Sequence, residues 1–266
     1  MKKTVLATLS MAAALASAQT YLTPPQAGLM RDAANSLRPV YGIAGNFVVG
    51  DQVLGPVISA AYSGSYGLVK TSSAILVIDK TGSIVANTAT ADGPALFAFT
   101  LAGEPSLVYL PAAGTLLAWN AGAFGAVPFD PTTLAANAVL SIATPPGSDA
   151  AMIVQRDDGL WDVQIDLATG AIDAQTAIPG IVAPVVMLAT GELVYSETDG
   201  SNSAAIVLRA PDGSERHISA TLPASFEFEQ MDLDWIQLRD LAAGQQFAIR
   251  ITQNREQFYQ LPEVGQ

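Results

Sequence analysis

Residues 160–173 read LWDVQIDLATGAID. The two halves suit two strands, with Ala168-Thr169-Gly170 turning between them. Glycine accepts the positive φ that a tight hairpin or its adjoining bulge requires. The same hairpin recurs along the chain. ILVID-KTG-SIVANTA (75–89) comes first, then LLAWN-AG-AFGAVPF (116–129). DVQID-LATG-AIDAQTA (162–177), AIVLR-APDG-SERHISA (205–220) and FAIRIT-QN-REQFYQLP (247–262) follow. The turn residues Gly82, Gly122, Gly170, Gly213 and Asn254 are spaced by 40, 48, 43 and 41 residues. Spacings in the low forties are those of a four-stranded propeller blade.

Each unit carries two more strand-like runs ahead of its hairpin. They are VISAAY and YGLVKT, ALFAFT and SLVYLP, AVLSIAT and AAMIVQR, PVVMLA and ELVYSE, and FEFEQM and WIQLR. Residues with a backbone reason to turn separate the two members of every pair. Burial pattern then separates the all-β options. Strands of a two-sheet sandwich, wet on one face, alternate apolar with polar. Here ILVI, TLLAW, VVMLA and AAIVL run almost unbroken, as strands buried on both faces do. Blades packed between two neighbours are buried in that way. This accommodates a chain that is 50% hydrophobic with a mean hydropathy of +0.34. The connectors are too short for the helical crossovers of a parallel sheet. The expected fold is a five-bladed β-propeller of four-stranded antiparallel blades over residues 57–266, with a β-sandwich or a six-bladed propeller as alternatives. Residues 19–56 read as an N-terminal extension. PQAGLMRDAANSL (25–37) suggests a short helix that Pro39 stops, and the segment to Pro56 reads as extended.

The first eighteen residues indicate export. Lys2 and Lys3 precede an apolar run from Val5 to Leu15, and Ala16-Ser17-Ala18 offers a cleavage site before Gln19. The run is too short to span a bilayer. A secreted or periplasmic location is expected. With no cysteine in the chain, disulfides, lipobox anchoring and thiolate metal sites are excluded. Losing Lys2 and Lys3 with the leader takes the formal net charge from −12 to −14. Such an acidic chain lacks the electrostatic footprint of a nucleic-acid binder.

The hairpins ILVID-KTG, LLAWN-AG and DVQID-LATG resemble WD40-like and YVTN-type propeller repeats, in which an apolar strand ends in a Trp-Asp-like pair before a turn. Trp119-Asn120 and Ile78-Asp79 occupy that place, whereas Trp161-Asp162 opens its strand. The layout also resembles uncharacterised secreted propeller-like proteins of environmental bacteria. The likeness implies the fold and says little about activity. With one histidine, the His-centred tetrad of true WD40 repeats cannot form.

Tests for chemistry yield little. His217 falls on the outer strand of its unit, with no G-x-S-x-G elbow in the chain. Glycan-cleaving propellers set carboxylates around the central channel. Of the expected innermost strands only FEFEQM holds acids, Glu227 and Glu229, on one side of the strand. The preferred reading turns both to solvent while Phe226 and Phe228 pack between blades. Their catalytic use is the alternative. Trp119, Trp161 and Trp235 read as packing residues before sugar platforms. The expected role is that of a non-enzymatic scaffold binding a protein or ligand, with a glycan-active hydrolase or lectin-like module as the alternative. Its expected binding rim lies on the mouth formed by inter-blade connectors and second-to-third-strand turns, through Asp92, Asp130, Asp157, Asp158 and Asp199. Those acids suit a cationic partner; no cofactor is required, and Ca²⁺ is the one the oxygen-rich turns admit.

Overall fold

The computed structural model describes residues 24–198 and 204–263, so the leader read at 1–18 and Asp199 lie outside the described residues. Six sheets follow one another along the described chain. Blade I has three strands, β1 (Gln26–Arg31), β2 (Leu37–Ile43) and β3 (Asn46–Val49). Blade II is β4 (Ser59–Tyr62), β5 (Tyr66–Lys70), β6 (Ala74–Asp79) and β7 (Ile84–Ala89). Blade III is β8 (Leu96–Phe99), β9 (Pro105–Leu110), β10 (Thr115–Asn120) and β11 (Ala123–Ala126). Blade IV is β12 (Ala138–Ala143), β13 (Ala150–Arg156), β14 (Gly159–Ile165) and β15 (Ile172–Ile178). Blade V is β16 (Val185–Met187), β17 (Leu193–Thr198), β18 (Ala204–Arg209) and β19 (Glu215–Ala220). Blade VI is β20 (Phe226–Asp232), β21 (Trp235–Asp240), β22 (Gln246–Arg250) and β23 (Gln257–Gln260). Strands pair antiparallel in chain order throughout. The repeat read from 57 onward is present unit by unit.

The ring therefore has six blades, and the expected count of five is corrected. Residues 26–49, expected as a short helix and an extended segment, form the additional blade. QAGLMR contains no β-branched residue, which favours the helical reading locally. Tertiary burial overrides it. Leu29 packs against blade II in one cluster, and Met30 faces blade VI in another.

Six apolar clusters hold the ring, one at each blade interface. Leu68 meets Val108 between blades II and III, and Leu107 meets Met152 between III and IV. Ile153 meets Tyr195 between IV and V, and Ile206 meets Ile249 between V and VI. Met30 and Phe47 meet Met231 and Trp235 between I and VI, while Leu37 meets Val69 between I and II. Within β13, Met152 and Val154 serve one interface while Ala151 and Ile153 serve the other. Both faces of a central strand are thus used, which is why its sequence is an unbroken apolar run. Burying each Val, Leu or Ile fully contributes about 1.5–3 kcal/mol.

Blade I is built differently. The first strands of the other blades, β4, β8, β12, β16 and β20, line the axis and run away from the connector face. β1 runs the opposite way. A Cβ on Gly28 would fall 2.1 Å from the Met231 carbonyl oxygen, at φ +153°, whereas Arg31 reaches back to Glu227 and Glu229. Only glycine allows that approach. The turn between β2 and β3 meets Tyr259 on the outer strand of blade VI, just as Gly82 of blade II meets Val53 beyond β3. By direction and neighbours, β1–β3 are the second, third and fourth strands of a blade. No described strand takes its innermost position, and β4 and β20 pack directly against each other.

Candidate functional site: the axial channel

The channel encloses about 300 Å³. Its walls on blades II to V are apolar, with Ala60, Phe97, Leu140 and Val186 among the lining residues. Two hydroxyls stitch neighbouring inner strands together. Ser59 Oγ accepts from the Ala95 N–H at 3.1 Å, and Ser141 Oγ accepts from the Met187 N–H at 2.9 Å.

Blade VI supplies a charged wall. Glu227 and Glu229, two apart on β20, both line the channel, and Phe226 and Phe228 pack into the V–VI cluster. The solvent-facing reading of the two glutamates is corrected, because blade I places Arg31 opposite them. Arg31 Nε donates to Glu229 Oε1 at 2.9 Å and to Oε2 at 3.2 Å. Its Nη2 bonds Glu229 Oε1 as well and Glu227 Oε1 at 2.7 Å. Its Nη1 donates to Asn35 Oδ1 at 3.0 Å. Arg239, on β21, closes on Glu227 through Nε at 2.7 Å and Nη2 at 2.6 Å, and its Nη1 reaches Asn35 Oδ1 at 3.2 Å.

Two cations and two anions neutralise each other. The Arg31 side chain is 7% exposed, Glu229 11% and Glu227 35%. Burial alone lowers the Arg31 pKa, and Glu229, then Glu227, outweigh it and hold it above its ordinary value. Burial likewise pushes the Glu229 carboxyl up, with Arg31 opposing the shift. A guanidinium contacting both Oε atoms fits the carboxylate form. Glycoside hydrolysis needs an acid that can hand over its proton and a carboxylate free to attack or activate water. Here both carboxylates are engaged as ion-pair acceptors. Chemically, the arrangement is a clasp between the first and last described blades.

The four described acids of the expected rim each hold a hydrogen bond of their own. Asp92 Oδ1 accepts from the Gly93 N–H at 2.9 Å. Asp130 accepts from the Thr132 N–H at 2.9 Å and hydroxyl at 2.7 Å, bonds that hold its carboxyl below the usual carboxylate value. Asp157 accepts from Asn137 Nδ2 at 2.8 Å and Asp158 from Trp161 Nε1 at 2.9 Å. Among the described residues, no group of three or more His, Asp or Glu side chains is placed to hold a metal. His217 lies half-exposed on outer strand β19, 3.8 Å from Glu215. Trp235 is 8% exposed and meets Phe47 edge-on at 5.4 Å. Trp119 meets Phe124 edge-on at 4.9 Å, and Arg156 stacks 4.8 Å from the Trp161 ring. Sequence reasoning did not reach Arg31, Asn35 and Arg239. Their one local signal is a lone arginine ending the apolar run AGLM.

No protein-family model matches the chain, and no curated protein matches it either. Solved structures do. TolB from Acinetobacter baumannii superposes with a TM-score of 0.51 at 16% identity, over 96% of this chain and 67% of that one. The WD40 domain of Pan2 from Neurospora crassa gives 0.45 at 11% identity, over 90% and 80%. A virginiamycin B lyase from Staphylococcus aureus gives 0.42 at 12% identity, over 90% and 85%. At such identities the TolB likeness speaks for the fold alone. The chain folds as a β-propeller with six blades. Among the described residues no helix is long and apolar enough to cross a membrane.

Proposed function

We propose that this propeller is an exported, non-enzymatic scaffold that binds a partner protein. The observation that carries the reading is the double capture of Glu227 and Glu229 by Arg31 and Arg239, which withholds from catalysis the two acids best placed for it. A rigid ring of blades offering turns on both faces suits recognition. The basic, apolar and small-residue succession of the first eighteen residues supports export to the periplasm or beyond.

Two measurements test the reading. N-terminal sequencing of the protein from the producing cell's envelope or medium is expected to start at Gln19. Cross-linking of the tagged protein in its native envelope is expected to trap a polypeptide at fixed stoichiometry. Release of reducing sugar from a polysaccharide, lost in Glu229→Gln, would replace the scaffold with a glycan hydrolase.

A further inference from the structure

On the face away from the connectors, a hollow of about 530 Å³ opens between blades V and VI. That size lies within the range of about 300–1,000 Å³ typical of ligand-holding clefts. The β16–β17 turn contributes Leu188 and Glu192, the β18–β19 turn Asp212, and the β20–β21 turn Leu233 and Asp234. Leu101, from the first turn of blade III, lines it as well. Leu101 is 55% exposed and Leu233 38%. Exposed apolar side chains gathered at a cleft mark interaction sites more often than scattered ones do.

Charge then selects the occupant. Arg216 is the one basic residue of the lining, and it is already engaged. Its Nη2 donates to Glu192 Oε1 at 2.7 Å, and its Nη1 bonds Glu256 and, at 3.3 Å, the Ile251 carbonyl. Asp212 and Asp234 are exposed beside it. The Ser214 hydroxyl and amide hold the Asp212 carboxyl below its ordinary value, so it is charged at neutral pH. The hollow therefore combines apolar contact with surplus negative charge, which repels phosphate and attracts ammonium or guanidinium. Lysine and arginine side chains carry an apolar stem and a cationic head, matching both features.

We propose that this hollow docks a basic, leucine-bearing segment of a partner protein. Its cationic heads meet Asp212 and Asp234, and its apolar side chains meet Leu101, Leu188 and Leu233. The assignment rests on the protein-binding reading above and adds the face and the chemistry of the partner.

The test uses the full chain and a fluorescein-labelled Leu-Arg-Leu-Arg-Leu-Arg peptide, read by anisotropy, with Leu-Glu-Leu-Glu-Leu-Glu as control. Saturable one-to-one binding of the arginine peptide alone is expected. D212N/D234N should weaken it by about tenfold or more, and L101S/L233S by about fivefold or more. D51N, at an exposed acid beyond β3 that does not line the hollow, should change it by less than about twofold. Unfolding midpoints of the variants check that each is folded. Absence of binding, or an equal loss in D51N, overturns the assignment of this hollow. Because the cross-linking experiment does not depend on this peptide, the two readings fail separately.

Discussion

The side-chain amide of Gln237 grips the backbone of Arg31 at both ends of its peptide geometry. Its Oε1 accepts from the Arg31 N–H at 3.1 Å, and its Nε2 donates to the Arg31 carbonyl at 2.7 Å. A neighbouring strand would make that same pair of bonds. Blade I has no described inner strand beside β1, and one glutamine of β21 stands in for it at this residue. Gln237 is 1% exposed, so water cannot replace it.

Replacing Gln237 by Leu leaves a buried N–H and a buried C=O without partners. Each such orphan costs about 1–3 kcal/mol. The expected outcome of urea unfolding is a loss of about 2–4 kcal/mol. A change below about 0.5 kcal/mol would mean that the amide is not substituting for a strand.

Arg31 and Glu229 should be coupled strongly. Arg31→Met leaves Glu229 buried without its cation, which typically costs about 3–5 kcal/mol, whereas replacing both charges by apolar residues is often close to neutral. A double-mutant cycle of R31M, E229M and the pair is expected to show the pair closer to the parent than R31M alone. Additive losses would contradict the clasp.

Asp232 gives a pH dependence of definite sign. Burial, with added repulsion from Asp234, pushes its carboxyl from an ordinary 3.8 up to about 6. The folded state thus holds the proton more tightly than the unfolded state. Below about 4 both states are protonated and there is no penalty; stability is lost as pH rises from there through about 6. Asp232→Asn retains an oxygen for the Leu233 N–H, which the carboxylate accepts at 2.7 Å. The variant should match the parent at acidic pH and exceed it above pH 7 by about 2 kcal/mol, allowing for partial solvation. Thermal melts at the two pH values check this.

Asp162 carries a second unfavourable carboxylate. It sits on β14 opposite Ile153 and Thr176, and its buried Oδ1 has no hydrogen-bond partner. Burial pushes its carboxyl up. Asp162→Val, which suits a central strand, should raise the unfolding free energy at neutral pH by about 1–2 kcal/mol. The gain should shrink on acidification, as the native carboxyl takes up its proton. A loss at neutral pH would show that Oδ2 does unseen work.

Much of this architecture was legible in the residues. Glycine and asparagine at the hairpin turns, and apolar runs such as AAMIV, announced blades II to VI, because those signals are local. Blade I was not legible, since QAGLMR has weak strand propensity and takes its form from neighbours far away in sequence. Leu29 and Met30 point to opposite neighbours, blades II and VI, which only the assembled ring supplies. The same limit applies at the channel. Glu227 and Glu229 were visible, but their cation lies 198 residues from Glu229, and no local spacing could pair them.

The start and finish of the described chain sit side by side, with Ala27 and Leu261 sharing a cluster. Each sheet joins described strands that are consecutive in the chain, so no described strand is lent across this seam. Tension between the two ends reaches this junction through β1 and β23, each hydrogen-bonded to the next strand of its own blade. Mechanically, the ring is a bracelet with a catch, and Arg31, Met30, Phe47 and Gln237 form the catch.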